Sequence, residues 1–345
     1  MKKAFLLLMI LSLTLLIVAG CEETPIDEEP EEGGVESLGM GVVTSIGRSK
    51  DLDEENDVLP LGQVDSVIAA ATFDQEGKVV EVSIDTAQVK IQFDEDLQLV
   101  SDPAEEILTK KELGDDYGMR DASEIDKEWD EQIAALEEWM VGKTVEEITS
   151  LELLEDGAPD DSDLVTSVTI TVTDYIAALD KAYANSVNVQ PGAEALGLGH
   201  NISIGRSTSL DSDNDTMPTA QADVVIAAAV FDDADQVAGV MIDTAQTRVN
   251  FDEEGQVTSD PTVEYPTKKE LGDEYGMRDA SEIDKEWDEQ IAALEEWMVG
   301  KTVEEITSLE LLEDGAPDDS DLVTSVTITV TSYLEALDEA YSRAR

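Results

Sequence analysis

The chain has 345 residues, with 81 acidic against 21 basic side chains, a formal charge of −60 and an apolar fraction of 41%. Two ordinary domains with a core in each fit that length, and the apolar share is too high for a disordered acidic tail. The charge excludes a nucleic-acid backbone as a partner and disfavours docking on anionic lipid; one Cys and one His exclude a disulfide framework and a His/Cys metal site.

The first element is "MKKAFLLLMILSLTLLIVAGC", with Lys2 and Lys3 before an apolar run from Ala4 to Gly20. A basic start followed by an apolar centre reads as a secretory signal. Its end, "IVAGC", resembles the bacterial lipoprotein box. That resemblance implies removal of residues 1–20 and lipidation of Cys21, with the mature chain held on the outer face of the cytoplasmic membrane, in a Gram-positive type of envelope. Residues 21–38 are acids, Pro and Gly with little else, and read as a self-repelling tether.

The remainder is an internal repeat with an offset of 158. "GMGVVTSIGRS" at Gly39 answers "GLGHNISIGRS" at Gly197, "IDTAQ" recurs at Ile84 and Ile242, and "TKKELGD" at Thr109 and Thr267. From Thr109 to Thr173 the sole change against Thr267 to Thr331 is Asp116 to Glu274. The expected organisation is a domain over 39–185, a linker over 186–196 containing Pro191 and Gly192, and a second domain over 197–345.

Within each copy, strands come first. "SVIAAATF" and "KVVEVSI" flank the turn "DQEG", and "VKIQF" alternates like a further half-buried strand, which predicts an antiparallel meander. Helices follow. Ile125, Trp129, Ile133, Leu136 and Met140 share one helical face, with Ser123 to cap it and Gly142 to end it. Trp129 on that face reads as core. Thr144 with Glu147 forms a capping box for a short second helix. The fold class is therefore α+β, an antiparallel sheet packed with helices in each of two tandem domains. The last segment is ambiguous: "VTSVTITVT" alternates like a strand, whereas Val172, Ile176, Leu179 and Tyr183 share a helix face that a first turn near Thr166 to Thr169 would begin.

"DLVTSVT" resembles the flavinylation motif of the FMN-binding domain family, which runs Asp, two variable residues, Ser or Thr, Gly, Ala, then Ser or Thr. Asp163, Thr166 and Thr169 fill its fixed positions, as do Asp321, Thr324 and Thr327 in the second copy. Ser167 and Ser325 replace the Gly, and Val168 and Val326 the Ala. "DTAQ", "YGM" and "EW…Q…LE…VGKT" also resemble that family. The resemblance implies two covalent FMN groups, on Thr169 and Thr327, attached as phosphoesters by a Mg-dependent flavin transferase. It further implies an electron carrier rather than a stand-alone enzyme. A membrane quinone-linked donor would supply the electrons, and iron(III), free flavin or another extracellular acceptor would take them. Tyr117 and Met119, with Tyr275 and Met277, are candidates to line the flavin ring. A helix N-terminus beside the ester would suit its phosphate.

Other candidates carry less. "DLDEEND" at Asp51 and "DSDND" at Asp211 suggest cation loops, but the latter has Thr216 and Ala222 where an EF-hand needs Gly and an acid. They support the alternative reading, an acidic cation- or ligand-binding surface lipoprotein without a redox cofactor. Arg48 and Arg206 recur in "SIGRS" and would either pair with a carboxylate or reach the phosphate. His200, where the first copy has Val42, reads as a surface residue.

Overall fold

The computed structural model describes residues 34–344. The signal segment and Cys21 lie outside the described residues. Each copy builds a three-stranded antiparallel meander. In the first, β1 (Ser37–Ser45), β2 (Leu61–Phe73) and β3 (Val79–Gln92) pair in that order, and a two-residue β4 (Val187–Asn188) flanks β1. In the second, β5 (Ala193–Ser203), β6 (Thr219–Asp232) and β7 (Val237–Asn250) repeat the arrangement. The observed class is α+β with two antiparallel sheets.

Three expectations about the strands need correcting. "KVVEVSI" and "VKIQF" are one strand, because "DTAQ" between them keeps the alternation and the ladder to β2 without a break. β1 begins at Ser37, inside the stretch read as tether, and Leu38 is fully buried. Residues 186–196 contain β4 and the start of β5.

Two-residue periodicity gives each sheet two apolar faces. On the inner faces, Ile68, Ala70, Val89 and Ile91 meet Ile226, Ala228, Val249 and Phe251 in one core shared by both copies. Phe93 and Phe251 pack edge to face at its margin, centroids 5.4 Å apart. On its outer face each sheet carries its own helices, so the layers run helix, sheet, sheet, helix. The copies thus fold as one unit around a common inner core.

The helices of the first copy are α1 (Lys110–Leu113), α2 (Trp129–Met140), α3 (Val145–Thr149) and α4 (Thr173–Ala184). Those of the second are α5 (Lys268–Leu271), α6 (Trp287–Met298), α7 (Val303–Thr307) and α8 (Thr331–Arg343). α2 starts at Trp129, four residues after Ile125, because Glu128 and Glu131 form the capping box there. Trp129 is core, with its indole N–H donated to Tyr175 Oη at 2.8 Å. The Thr144–Glu147 box on α3 is present as expected.

α4 lies flush on β1. A Cβ on Gly39 would fall 2.0 Å from Ala182 O, and one on Gly41 2.1 Å from Ala178 O. Gly197 and Gly199 hold α8 in the same way. The repeated "GMG" and "GLG" therefore exist for close helix–strand approach.

Candidate functional site

The phrase "DSDLVTSVTITVT" is neither the strand nor the helix start that its pattern allowed. Residues 162–167 form successive turns, closed by Val165 N–H to Asp161 O at 2.9 Å and Val168 N–H to Leu164 O at 2.8 Å. Leu164 and Val168 point into the core; Asp163 and Thr166 are exposed, and Ser167 and Thr169 half-buried. The chain then runs irregularly to Val172, and α4 begins at Thr173. The expected first turn at Thr166 to Thr169 is thus displaced, because β-branched residues at 168–172 disfavour helix and Val172 N–H bonds Gly157 O instead. No helix N-terminus faces Thr169 from its own segment.

Different atoms hold the two central threonines. Thr171 donates its hydroxyl to Asp156 O at 2.7 Å, which locks it to the "EDGAP" turn. Thr169 instead faces Gln132, fully buried on the first turn of α2. Its N–H donates to Gln132 Oε1 at 2.9 Å and its hydroxyl approaches the same oxygen at 3.4 Å. Gln132 is itself fixed, its Nε2 donating to Ser123 Oγ and Lys127 O. The second copy repeats this with Thr327 and Gln290 at 2.8 and 3.4 Å. Asp163 and Asp321 sit on their exposed turns, where their N–H groups bond Asp161 and Asp319. Thr324 is exposed and Ser325 half-buried, as in the first copy.

Tyr117 and Met119 pack against the apolar cluster that Leu164 and Val168 enter, and Tyr275 and Met277 do so in the second copy. The buried Glu128 positions this loop by accepting Met119 N–H at 2.8 Å and Arg120 N–H at 2.7 Å; Glu286 does the same for Met277 and Arg278.

Sequence reasoning missed Lys110 and Lys268. Both are buried. Lys110 Nζ lies 5.0 Å from the Tyr117 ring centroid and 5.4 Å from that of Trp129; Lys268 lies 4.9 Å from Tyr275 and 5.2 Å from Trp287. Neither ammonium has a carboxylate at ion-pair distance among the described residues. Burial pushes the Lys110 ammonium down to about 8, against the pull of Asp65. Burial likewise raises the Tyr117 phenol, opposed by the charges of Arg48 and Lys90.

The repeated "IDTAQ" and "TKKEL" phrases also meet. Asp85, fully buried, accepts from Thr109 Oγ1 at 2.7 Å and from Lys111 N–H at 3.1 Å, which pins α1 to β3. Asp243 does the same with Thr267 and Lys269, and burial raises its carboxyl above the ordinary range.

Of the remaining candidates, Arg48 and Arg206 stand 4.0 Å from Asp65 and Asp223. Asp53 and Asp211 cap their own turns, each accepting from a following Asn side chain at 2.6 Å. His200 is not a surface residue: at 7% exposure it lies on the inner face of β5, its Nδ1 3.4 Å from Arg343 Nη1 at the end of α8, and burial lowers its imidazole to about 4. The inner-face position forces this, since its counterpart Val42 is buried too.

No protein-family model matches the chain, and no solved structure matches it. A stretch of 134 residues is 29% identical to the chlorophenol reductase of Desulfitobacterium hafniense, covering 34% of this chain and 38% of that protein. The match therefore spans well under half of that relative's length. Among the described residues, no helix is long and apolar enough to cross a membrane.

Proposed function

We propose that the chain is a membrane-anchored extracellular electron carrier with FMN esterified to Thr169 and Thr327. It would sit on lipid attached at Cys21, take electrons from a quinone-linked membrane donor and pass them to iron(III), free flavin or another external acceptor. One observation carries the reading. In both copies the motif's last Thr is half-exposed with its hydroxyl lightly held by a buried Gln, while the neighbouring Thr171 and Thr329 are bonded into a turn.

The residues present suit the group. An acceptor hydroxyl must be reachable by a transferase and held in one orientation. Gln132 and Gln290 orient it, and the exposed turn 162–167 leaves it accessible. Tyr117 and Met119 offer an aromatic and a polarizable surface beside the same cluster. FMN, when attached, supplies reversible electron transfer, and a covalent ester prevents its loss by dilution outside the cell. A flavin transferase is the partner this requires. The similarity to a reductase is in keeping with redox chemistry, whereas chlorophenol reduction is that protein's own activity.

The cation-binding alternative draws no support from the acidic loops, whose Asp53 and Asp211 are already bonded to their own turns. The test is colour. Protein made alongside a flavin transferase should be yellow and keep its flavin absorbance on the polypeptide after denaturation and desalting. Thr169→Ala and Thr327→Ala should each remove half. Colour that washes away on denaturation would sink the covalent assignment.

A further inference from the structure

In a chain of charge −60, basic side chains are scarce, yet three gather at one end of each outer sheet face. Thr86, Gln88 and Lys90 continue the outer face of β3 beyond Ile84 at two-residue spacing. On β2 the partners of Gln88 and Lys90 are Asp65 and Gln63, and Asp65 also faces Ser45 on β1, three residues before Arg48. α4 covers the Gly39–Gly41 end of this face; the Ser45 end is edged by Tyr117, with the Lys110 ammonium over its ring. The charges of Arg48 and Lys90 both act on the Tyr117 hydroxyl, and that of Arg48 on Lys110.

The second copy has the same set: Arg206, Arg248 and Lys268. There Tyr275 Oη reaches Gln246 at 3.4 Å, which places the ring over that part of the sheet. Asp65 and Asp223 offset one charge in each trio, and their oxygens already accept from Gln63 and Gln221. Arg48, Lys90, Arg206 and Arg248 are exposed. Among the described residues, two cations per copy are left without a carboxylate at ion-pair distance, one of them buried against two aromatic rings.

A buried cation without a counter-ion costs stability and needs an anion to offset it. We propose that Lys110 with Arg48 and Lys90, and Lys268 with Arg206 and Arg248, form the counter-charge for the reduced flavin carried on Thr169 and Thr327. This rests on the flavinylation reading. Two electrons from the quinone-linked donor and one proton from water form the N5–H bond of the ring. N1 stays unprotonated, so the product bears one more negative charge than the oxidised ring. The lysine and arginine protons stay in place throughout. On reoxidation the electrons leave to the acceptor and the proton returns to water. Without local cations the protein's own field would oppose that charge, so the trio raises the reduction potential.

The test uses full-length chain made with a flavin transferase, in a Thr327→Ala background that leaves a single flavin on Thr169. Intact mass first confirms the adduct, and its absence would remove the flavinylation reading and this proposal together. With the adduct present, dithionite titration in a spectroelectrochemical cell gives the midpoint potential. Lys110→Met should weaken the preference for the reduced form at least tenfold, a fall of about 30 mV for a two-electron couple. Lys268→Met removes the same charge from the other copy and should leave that potential unchanged. Should Lys110→Met not fold, the exposed pair Arg48→Gln with Lys90→Gln decides, with a smaller fall expected. Adduct present and no fall, or equal falls from Lys110→Met and Lys268→Met, would overturn the proposal while leaving the covalent flavin standing.

Discussion

At the threonine motif the two copies agree to a tenth of an ångström: Thr169 N–H meets Gln132 at 2.9 Å, and Thr327 N–H meets Gln290 at 2.8 Å. At the seam between the copies they part. On one side Lys181 of α4 bonds Val42 O, Glu264 and Glu270. On the other, the position of Lys181 is Glu339, and Arg343 one turn later bonds Glu339 and Glu112 beside the buried His200. Each helix reaches the capping glutamate of the opposite copy, but with its charges rearranged. The site is held twice by the same residues, whereas the seam can be built in two ways. This implies that sequence identity between the copies marks the chemistry, and divergence marks the packing.

Five substitutions test that contrast, in order of expected effect. Gly41→Ala and Gly199→Ala should each cost about 3 kcal/mol, since the new methyl meets helix backbone that cannot swing aside. Denaturant melts should give equal losses, and a clear inequality would show that the copies are not equally braced.

His200 comes next. Its folded imidazole titrates near 4 against an ordinary 6.5, so the unfolded chain binds more protons in that window. Stability is lost as pH falls from about 6.5 towards 4, by about 3 kcal/mol in all. Glu339 acts with the opposite sign. Burial raises it to about 7, so its contribution is present below 4.5 and is lost as pH rises towards 7. His200→Val, which installs the first copy's residue, should therefore abolish the loss towards pH 4 and leave Glu339's opposite slope between about 4.5 and 7 uncompensated, as pH-dependent melting would show.

Gln132→Leu should cost about 2 kcal/mol by leaving Thr169 N–H unbonded, and should cut flavin loading at Thr169 but not at Thr327. Peptide-level mass spectrometry reads the two sites separately. The smallest effect belongs to Thr171→Ala, about 1 kcal/mol for one turn hydrogen bond, with loading at Thr169 unchanged.

Much of this was legible in the sequence. The pairing of β2 with β3, the buried Trp129 face and the α3 capping box follow from period and cap chemistry, which are local; β1 shows in the sequence only as a repeated phrase. The partnerships that build the site are not local. Asp85 meets Thr109 across 24 residues and Gln132 meets Thr169 across 37, and no periodicity reports them. Their trace in the sequence is that these letters repeat unchanged in both copies. Lys110 was hidden for a different reason: a Lys beside another Lys reads as solvated surface, and only its packing against Tyr117 and Trp129 shows otherwise. His200 reads as surface by its chemistry, whereas its inner-face position in β5 buries it.

The most direct measurement is the intact mass of the full chain produced with and without a flavin transferase. The account predicts two FMN phosphoesters with the enzyme and none without it, one fewer for each of Thr169→Ala and Thr327→Ala, and none in the double variant. An unmodified mass with an active transferase, or adducts that survive both substitutions, would contradict it.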